Sequence, residues 1–486
     1  MIHQAGEHSG KLAAAERYRE QRAQHWDLIA KKRDTWQTSG SYYHQRLEQI
    51  YTHLVSPGQK ILELGCGTGE LLATLTPSVG VGLDFSSEMI SRAREKFPDL
   101  RFIQADAHEF ELDETFDVII LSDLVNDLWD VQAVIENLQK VSTPETRIII
   151  NVYSHLWELP MLLAQRAGKA TPLLPQNWLT VEDLANMLNL AGFEVFRHWQ
   201  EVLWPLGTLG LSTLCNRYLV KIWPLSWFAL TNFLIARRRP DRDDHEEKPT
   251  VSIVVPARNE AGHIEDIFAR TTELGSRTEL IFVEGNSTDN TYETIEQAIA
   301  RHPERSARLF KQQGRGKGDA VRLGFEQATG DILMILDADM TVPPEDLPRF
   351  YDAIASGQGE FINGVRLVYP MEEQAMRYLN LLGNKFFSLA FSWLLGQPIK
   401  DTLCGTKVLS RENYEKVARN RSYFGDFDPF GDFDLLFGAA KQNLKIVEMP
   451  IRYAERKYGE TNIDRWRHGW MLLKMTLYAM RKIKFV

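Results

Sequence analysis

Two α/β domains in tandem, each built on a largely parallel sheet, are what this chain predicts. Three observations point there. At 486 residues it exceeds what a single hydrophobic core usually serves. Short apolar runs alternate with amphipathic stretches through its first half, and the alternation restarts in the second. Between the halves lies Arg237-Arg238-Arg239-Pro240-Asp241-Arg242-Asp243-Asp244-His245-Glu246-Glu247-Lys248-Pro249, charged, Pro-flanked and without apolar anchors, which reads as a linker. The expected organisation is a helical lead-in over 1–39, a first domain over 40–236, the linker over 237–249, a second domain over 250–460 and a basic amphipathic helix over 461–486.

Composition narrows the class. With 44% hydrophobic and 25% charged residues the chain is ordinary for a soluble protein, and a net charge of -9 argues against a nucleic-acid binder. Cys66, Cys215 and Cys404 are far apart and form no CxxC pair, so neither a disulfide framework nor a zinc site is expected, and a reducing cytoplasm is the simplest location. The polar N-terminus predicts no signal peptide. The apolar run Tyr218 to Ala236 is interrupted by Lys221 and Pro224, and Phe386 to Gly396 is too short to span a bilayer. Both are apolar enough to lie against a membrane or a long apolar ligand, with ordinary core as the alternative.

In the first domain, Ile61–Leu64, Val79–Leu83, Arg101–Gln104, Val118–Leu121 and Arg147–Val152 are the expected strands. Glu63-Leu64-Gly65-Cys66-Gly67-Thr68-Gly69-Glu70 follows the first and opens a helix. Its glycines allow a sharp turn and close approach of a ligand, and its GxGxG spacing differs from the GxGxxG of dinucleotide binders. Asp84 ends the second strand, where a carboxylate can accept both hydroxyls of a ribose. Asp106 follows the third and is placed to meet an adenine amino group, with a helix cap as its structural alternative. Asp123, Asn126 and His155 are candidates for contact with an acceptor substrate, with a structural or solvated role as the alternative for each.

The segments ELGCGTG, GLDFSSEMISRARE and QADA, in this order and spacing, resemble the class I S-adenosylmethionine-dependent methyltransferases, over residues 40–200. That resemblance implies a Rossmann-like methyltransferase fold and cofactor binding by Glu63, Gly65, Gly67, Asp84 and Asp106. A non-catalytic scaffold that binds the cofactor is the alternative.

In the second domain, Val251–Pro256, Leu280–Glu284, Arg308–Lys311 and Asp331–Leu336 are the expected strands. Each runs into a polar loop. Pro256-Ala257-Arg258-Asn259-Glu260 follows the first and Glu284-Gly285-Asn286-Ser287-Thr288-Asp289 the second. Gly314-Arg315-Gly316-Lys317-Gly318 is a glycine-rich loop with cations, suited to a diphosphate. Asp337-Ala338-Asp339 ends the buried run Ile332–Leu336. Two carboxylates there are costly without a cation, and a divalent metal sharing its shell with substrate phosphates is the expected solution.

These four loops resemble those of family 2 glycosyltransferases of the GT-A fold, closest to the polyprenyl-phosphate branch, over residues 250–460. The resemblance implies a nucleotide-sugar donor held by Pro256, Glu260, Glu284, Lys317 and Asp337, with Mg2+ or Mn2+ at Asp339 and Asp337. Glu284-Gly285 stands where the family often has two adjacent aspartates. Asp432 is the implied base, with Asp434 as its competitor. Asp401, Lys407, Arg456 and Lys457 are implied on the side of a glycan or polyprenyl-phosphate acceptor. A nucleotidyltransferase is disfavoured because the loop Ala257–Glu260 lacks a glycine-rich phosphate run. From Ile451 to Val486 nine Lys or Arg face three acids, a balance compatible with peripheral contact at the inner face of an anionic membrane.

Overall fold

The computed structural model describes residues 2–32, 41–168, 170–240, 248–366, 378–421, 432–452 and 465–486. The chain forms two compact units, one reaching Arg239 and including Phe485–Val486, the other Pro240–Lys484. Each carries one seven-stranded sheet.

In the first unit the strands are β1 (Lys60–Leu64), β2 (Val79–Asp84), β3 (Arg101–Gln104), β4 (Val118–Ser122), β5 (Arg147–Tyr153), β6 (Phe193–Glu201) and β7 (Thr231–Arg238). Their order is β3-β2-β1-β4-β5-β7-β6, parallel from β3 to β5, with β7 antiparallel to both β5 and β6. The parallel strands are apolar on both faces because helices cover both. Leu62, Leu64, Ile119 and Leu121 pack to one side, and Ile61, Val118 and Ile120 to the other. The covering helices include α1 (Ile2–Lys32), α2 (Ser41–Leu54), α3 (Glu70–Thr74), α4 (Ser87–Lys96), α5 (Val131–Asn137), α6 (Glu158–Arg166) and α7 (Val181–Leu190). Helix α4 starts where the Ser86 hydroxyl accepts the Met89 amide.

The second unit holds β8 (Val251–Ala257), β9 (Thr278–Glu284), β10 (Ser306–Lys311), β11 (Ile332–Ile335), β12 (Phe361–Val365), β13 (Lys407–Ser410) and β14 (Ile446–Pro450), in the order β10-β9-β8-β11-β13-β12-β14. Strands β8 to β11 are parallel, and β13 is antiparallel to its neighbours β11 and β12. Val254, Ile281 and Leu333 face one core layer, Ile253, Phe282 and Met334 the other.

Every strand expected from an apolar run is present, and the antiparallel strands were not anticipated. The linker boundary moves as a result. Arg237 and Arg238 belong to β7, and Arg237, almost wholly buried, donates from Nε to Glu194 at 2.7 Å. Residues 241–247 of the expected linker lie outside the described residues. At the C-terminus the chain is helical over Arg465–Ala479. Among the described residues no helix is long and apolar enough to cross a membrane.

Candidate functional sites

In the first unit the predicted residues gather at the carboxyl ends of β1, β2 and β3. Gly65, Asp84 and Asp106 line a cavity open to solvent, together with Tyr18, Arg22 and Trp129. The glycine loop is shaped by sterics: Gly65 has φ 71°, and a Cβ on it would come within 2.8 Å of Leu124. At Gly67, φ 51°, a Cβ would meet nothing within 4 Å, leaving the backbone open to a ligand.

Asp84 accepts the amides of Gly67 and Ser86, both at 2.9 Å. Burial nevertheless pushes its pKa up to about 6. Glu63 does not line the cavity. It is buried, which drives its carboxyl well above the usual range against the pull of the Leu72 amide, and its Oε2 has no hydrogen-bond partner. A buried acceptor without a donor, beside a glycine loop and a ribose-type carboxylate, fits a ligand bearing an ammonium and hydroxyls. S-adenosylmethionine is such a ligand.

Asp106 caps no helix. It accepts the His108 amide at 2.9 Å and pairs with Arg19 Nε at 2.9 Å. Burial works against it, but the His108 ring and amide and the Arg19 charge hold its carboxyl below the usual range. Arg19 lies on α1, as do Arg22 and Trp26, which bond Asp127 at 2.8 and 2.7 Å. Helix α1 therefore helps line the cavity, a role its charged sequence did not reveal.

Asp123 follows β4 with φ 54°. Its carboxylate accepts Tyr43 Oη at 2.9 Å and Asn151 Nδ2 at 2.6 Å, and it bonds the Tyr153 hydroxyl. Burial outweighs these donors and raises its pKa to about 7. Asn126 is a structural residue, giving its amide to the Asn177 carbonyl at 2.7 Å. His155 is exposed and pairs with Glu158 at 3.2 Å.

In the second unit the loops after β8 and β9 are stitched together. Asn259 Oδ1 accepts the Thr288 amide at 2.8 Å, the Glu260 amide donates to Thr291 Oγ1 at 3.0 Å, and the buried Glu284 accepts the Ser287 amide. Glu260 itself is buried against His263, 3.0 Å away. Pro256, in the last turns of β8, lies beside these loops.

Lys317 opens the helix Lys317–Gln327 and places Nζ 2.5 Å from Asp337. The protein itself thus supplies one cation beside Asp337, at the two carboxylates where a metal is expected. The pair sits directly on Gly405, where a Cβ would lie 2.0 Å from Asp337 and 2.1 Å from Lys317. Asp339 turns Oδ1 to the amide and hydroxyl of Thr341, at 3.1 and 2.7 Å, and its Oδ2 has no partner among the described residues. No cluster of three or more His, Cys, Asp or Glu able to hold a metal exists among the described residues. A metal at Asp339 would therefore draw the rest of its shell from ligand oxygens and water, as Mg2+ does at phosphates.

The residues expected on the acceptor side behave differently. Asp401 is buried and gripped by Arg366 at 2.7 and 2.8 Å, with further bonds from the Arg366 and Leu403 amides at 3.0 Å. Despite burial, Arg366 holds its carboxyl below the usual range. Lys407 is fully buried at the start of β13 and donates to Asn363 at 3.0 Å and to the Cys404 carbonyl. Asp434 accepts Arg421 Nε at 2.7 Å, with Arg322 3.9 Å away, which disfavours it as a base. Asp432 begins the helix Asp432–Lys441. Arg456 and Lys457 lie outside the described residues.

Comparison with known proteins follows this geometry. Residues 55–192 match a family described as a methyltransferase domain, and residues 252–418 match glycosyl transferase family 2. The chain is 30% identical over 234 residues to glycosyltransferase AglJ of Haloferax volcanii, covering 48% of this chain and 72% of that one. It is 28% identical over 246 residues to a dolichol-phosphate mannosyltransferase of Pyrococcus furiosus, covering 48% and 67%. It is also 28% identical over 223 residues to an undecaprenyl-phosphate 4-deoxy-4-formamido-L-arabinose transferase of Pseudomonas fluorescens, covering 45% and 61%.

Proposed function

The chain belongs to the family 2 glycosyltransferases and carries a methyltransferase domain ahead of that module, and from this premise we propose a bifunctional enzyme of glycan or glycolipid biosynthesis. The second unit transfers a sugar from a nucleotide-sugar donor to a glycan or polyprenyl-phosphate acceptor, with inversion. The first methylates a small or glycan-linked acceptor using S-adenosylmethionine.

The observation that carries the reading is the Lys317–Asp337 pair seated on Gly405, next to the open oxygen of Asp339. Lys317 offers its charge to a diphosphate, and Asp337 holds that charge in place. Asp339 and Asp337 are the residues that would hold Mg2+ or Mn2+, which neutralises charge on the departing nucleotide. The stitched loops carrying Pro256, Glu260 and Glu284 face the base and ribose. Asp432 removes the proton of a hydroxyl acceptor. A phosphate acceptor needs no such base, since it is already anionic at neutral pH. Arg456 and Lys457 would engage the acceptor phosphate.

In the first unit Asp84 accepts the ribose hydroxyls, the glycine loop receives the amino-acid end with the buried Glu63 behind it, and Asp106 shares its adenine contact with Arg19. The cofactor supplies an electrophilic methyl group. Asp123, ionised above about pH 7, would take a proton from the acceptor.

Thermal unfolding of the full chain tests the assignment. S-adenosylhomocysteine should raise the melting temperature without metal, and Asp84→Ala should remove that shift. Stabilisation by NAD instead would reject the methyltransferase site.

A further inference from the structure

Two segments of the first unit leave the same edge of its sheet as the cofactor loops. One, 154–166, follows β5. The other, 202–230, joins β6 to β7, and the pairing of Tyr153 with Thr231 and of Thr231 with Glu201 puts all three strand ends together. The segments are tied to each other: the Ser154 amide donates to the Leu230 carbonyl at 2.7 Å and Trp157 Nε1 to the Phe228 carbonyl at 2.9 Å. What they turn outward is apolar. Leu159 is 64% exposed, Leu209 103%, Trp223 69% and Trp227 60%, with Leu156 and Phe228 beside them in the same condition. A soluble protein seldom leaves a surface of this kind uncovered.

Charge says what covers it. The chain has 65 acids, yet none lies between Val202 and Leu230. The acid in 154–166, Glu158, is paired with His155, while Arg166 and Arg217 are exposed. A soluble protein partner or a second copy would not require acids to be excluded. An anionic lipid surface would, and tryptophans flanked by leucines and cations are the composition that settles at the lipid–water interface.

We propose that this shelf docks the carboxyl edge of the first unit onto an anionic bilayer surface, with Trp223, Trp227 and the outer leucines of α6 entering the headgroup layer. The docking deepens the membrane contact expected for the basic C-terminal segment by assigning it a different place. It also rests on the methyltransferase reading for one consequence, that the methyl acceptor is met at the lipid surface.

Sedimentation of the full chain with vesicles tests it, using phosphatidylcholine alone and phosphatidylcholine mixed with phosphatidylglycerol. Wild-type protein should partition onto the mixed vesicles and dissociate as salt is raised. Leu159→Gln with Leu163→Gln, and Trp223→Ser with Trp227→Ser, should each cut partition by about tenfold or more. Leu209→Glu, at a fully exposed position where folding is not at stake, should do so in the same direction. S-adenosylhomocysteine binding should persist in all three, so a failed cofactor site and a failed docking surface give different results. Wild-type levels of vesicle binding in the variants would overturn the proposal and move any membrane contact to 461–486. Absence of binding by the wild type would overturn it too, as would a dimer that the variants abolish.

Discussion

The two units repeat the same half-sheet topology but compensate the carboxylates at its edge differently. Both are ordered third, second, first, fourth strand across their parallel halves, and both gather polar residues at the carboxyl ends of those strands. In the first unit two of the buried carboxylates are met by neutral donors alone. Asp84 has two backbone amides and Asp123 has tyrosine hydroxyls and an asparagine, so both are pushed toward neutrality by burial. In the second unit they are met by cations: Lys317 on Asp337, Arg366 on Asp401, Arg421 on Asp434. A pocket of under-compensated acids suits a sulfonium and an ammonium. One where cations already sit on the carboxylates suits a diphosphate. Asp106 with Arg19 and Asp127 with Arg22 are exceptions in the first unit.

The largest expected break comes from the second unit. Asp339→Ala should lower metal-dependent turnover of a nucleotide sugar by roughly 10³-fold with the fold intact, because charge on the leaving diphosphate goes uncompensated. Release of nucleoside diphosphate is the measurement, and full activity in excess chelator would overturn the metal role. Asp432→Asn comes next. With a hydroxyl acceptor it should cost about 10²–10⁴ in turnover at unchanged donor affinity, and far less with a phosphate acceptor. A loss confined to Asp434→Asn would move the base by two residues, against the Arg421 pairing.

Glycine substitutions sharpen the comparison. Gly405→Ala drives a methyl group into the Lys317–Asp337 pair and should cost about 1–3 kcal/mol, expressed in donor binding. Gly67→Ala meets no atom and should cost about 1 kcal/mol from its left-handed backbone alone. Calorimetry with each unit's ligand separates the two.

The smallest effect is one of pH. Asp84 moves from an ordinary 3.8 to about 6 in the folded chain, so between those values the folded state binds the extra proton. Its contribution to stability therefore falls as pH rises through that window, and is regained on acidification. Ligand affinity runs the other way: S-adenosylhomocysteine should bind more weakly below about pH 6, as the ribose acceptor is neutralised. Asp84→Asn should flatten that dependence.

Parallel strands were legible because burial on both faces makes them continuous apolar runs, as in Ile332–Ile335. Strand β6, Phe193–Glu201, was not, since its residues are mixed and mostly half-buried. Strand β7 was obscured because it ends in Arg237 and Arg238, which look like linker until Glu194 is seen across the sheet. The site residues at strand ends could be named from sequence, but their partners could not. Arg19 reaches Asp106, Arg366 reaches Asp401 and Lys317 reaches Asp337 only through the fold.

The opposite-charge account is tested most directly by titrating the full chain with two ligands in the calorimeter, each with and without Mn2+. S-adenosylhomocysteine should bind equally in both conditions and lose affinity only in Asp84→Ala. A nucleoside diphosphate should bind tightly only with Mn2+ and lose that dependence only in Asp339→Ala. Metal-independent diphosphate binding that survives Asp339→Ala, or cofactor binding that ignores Asp84→Ala, would contradict the account.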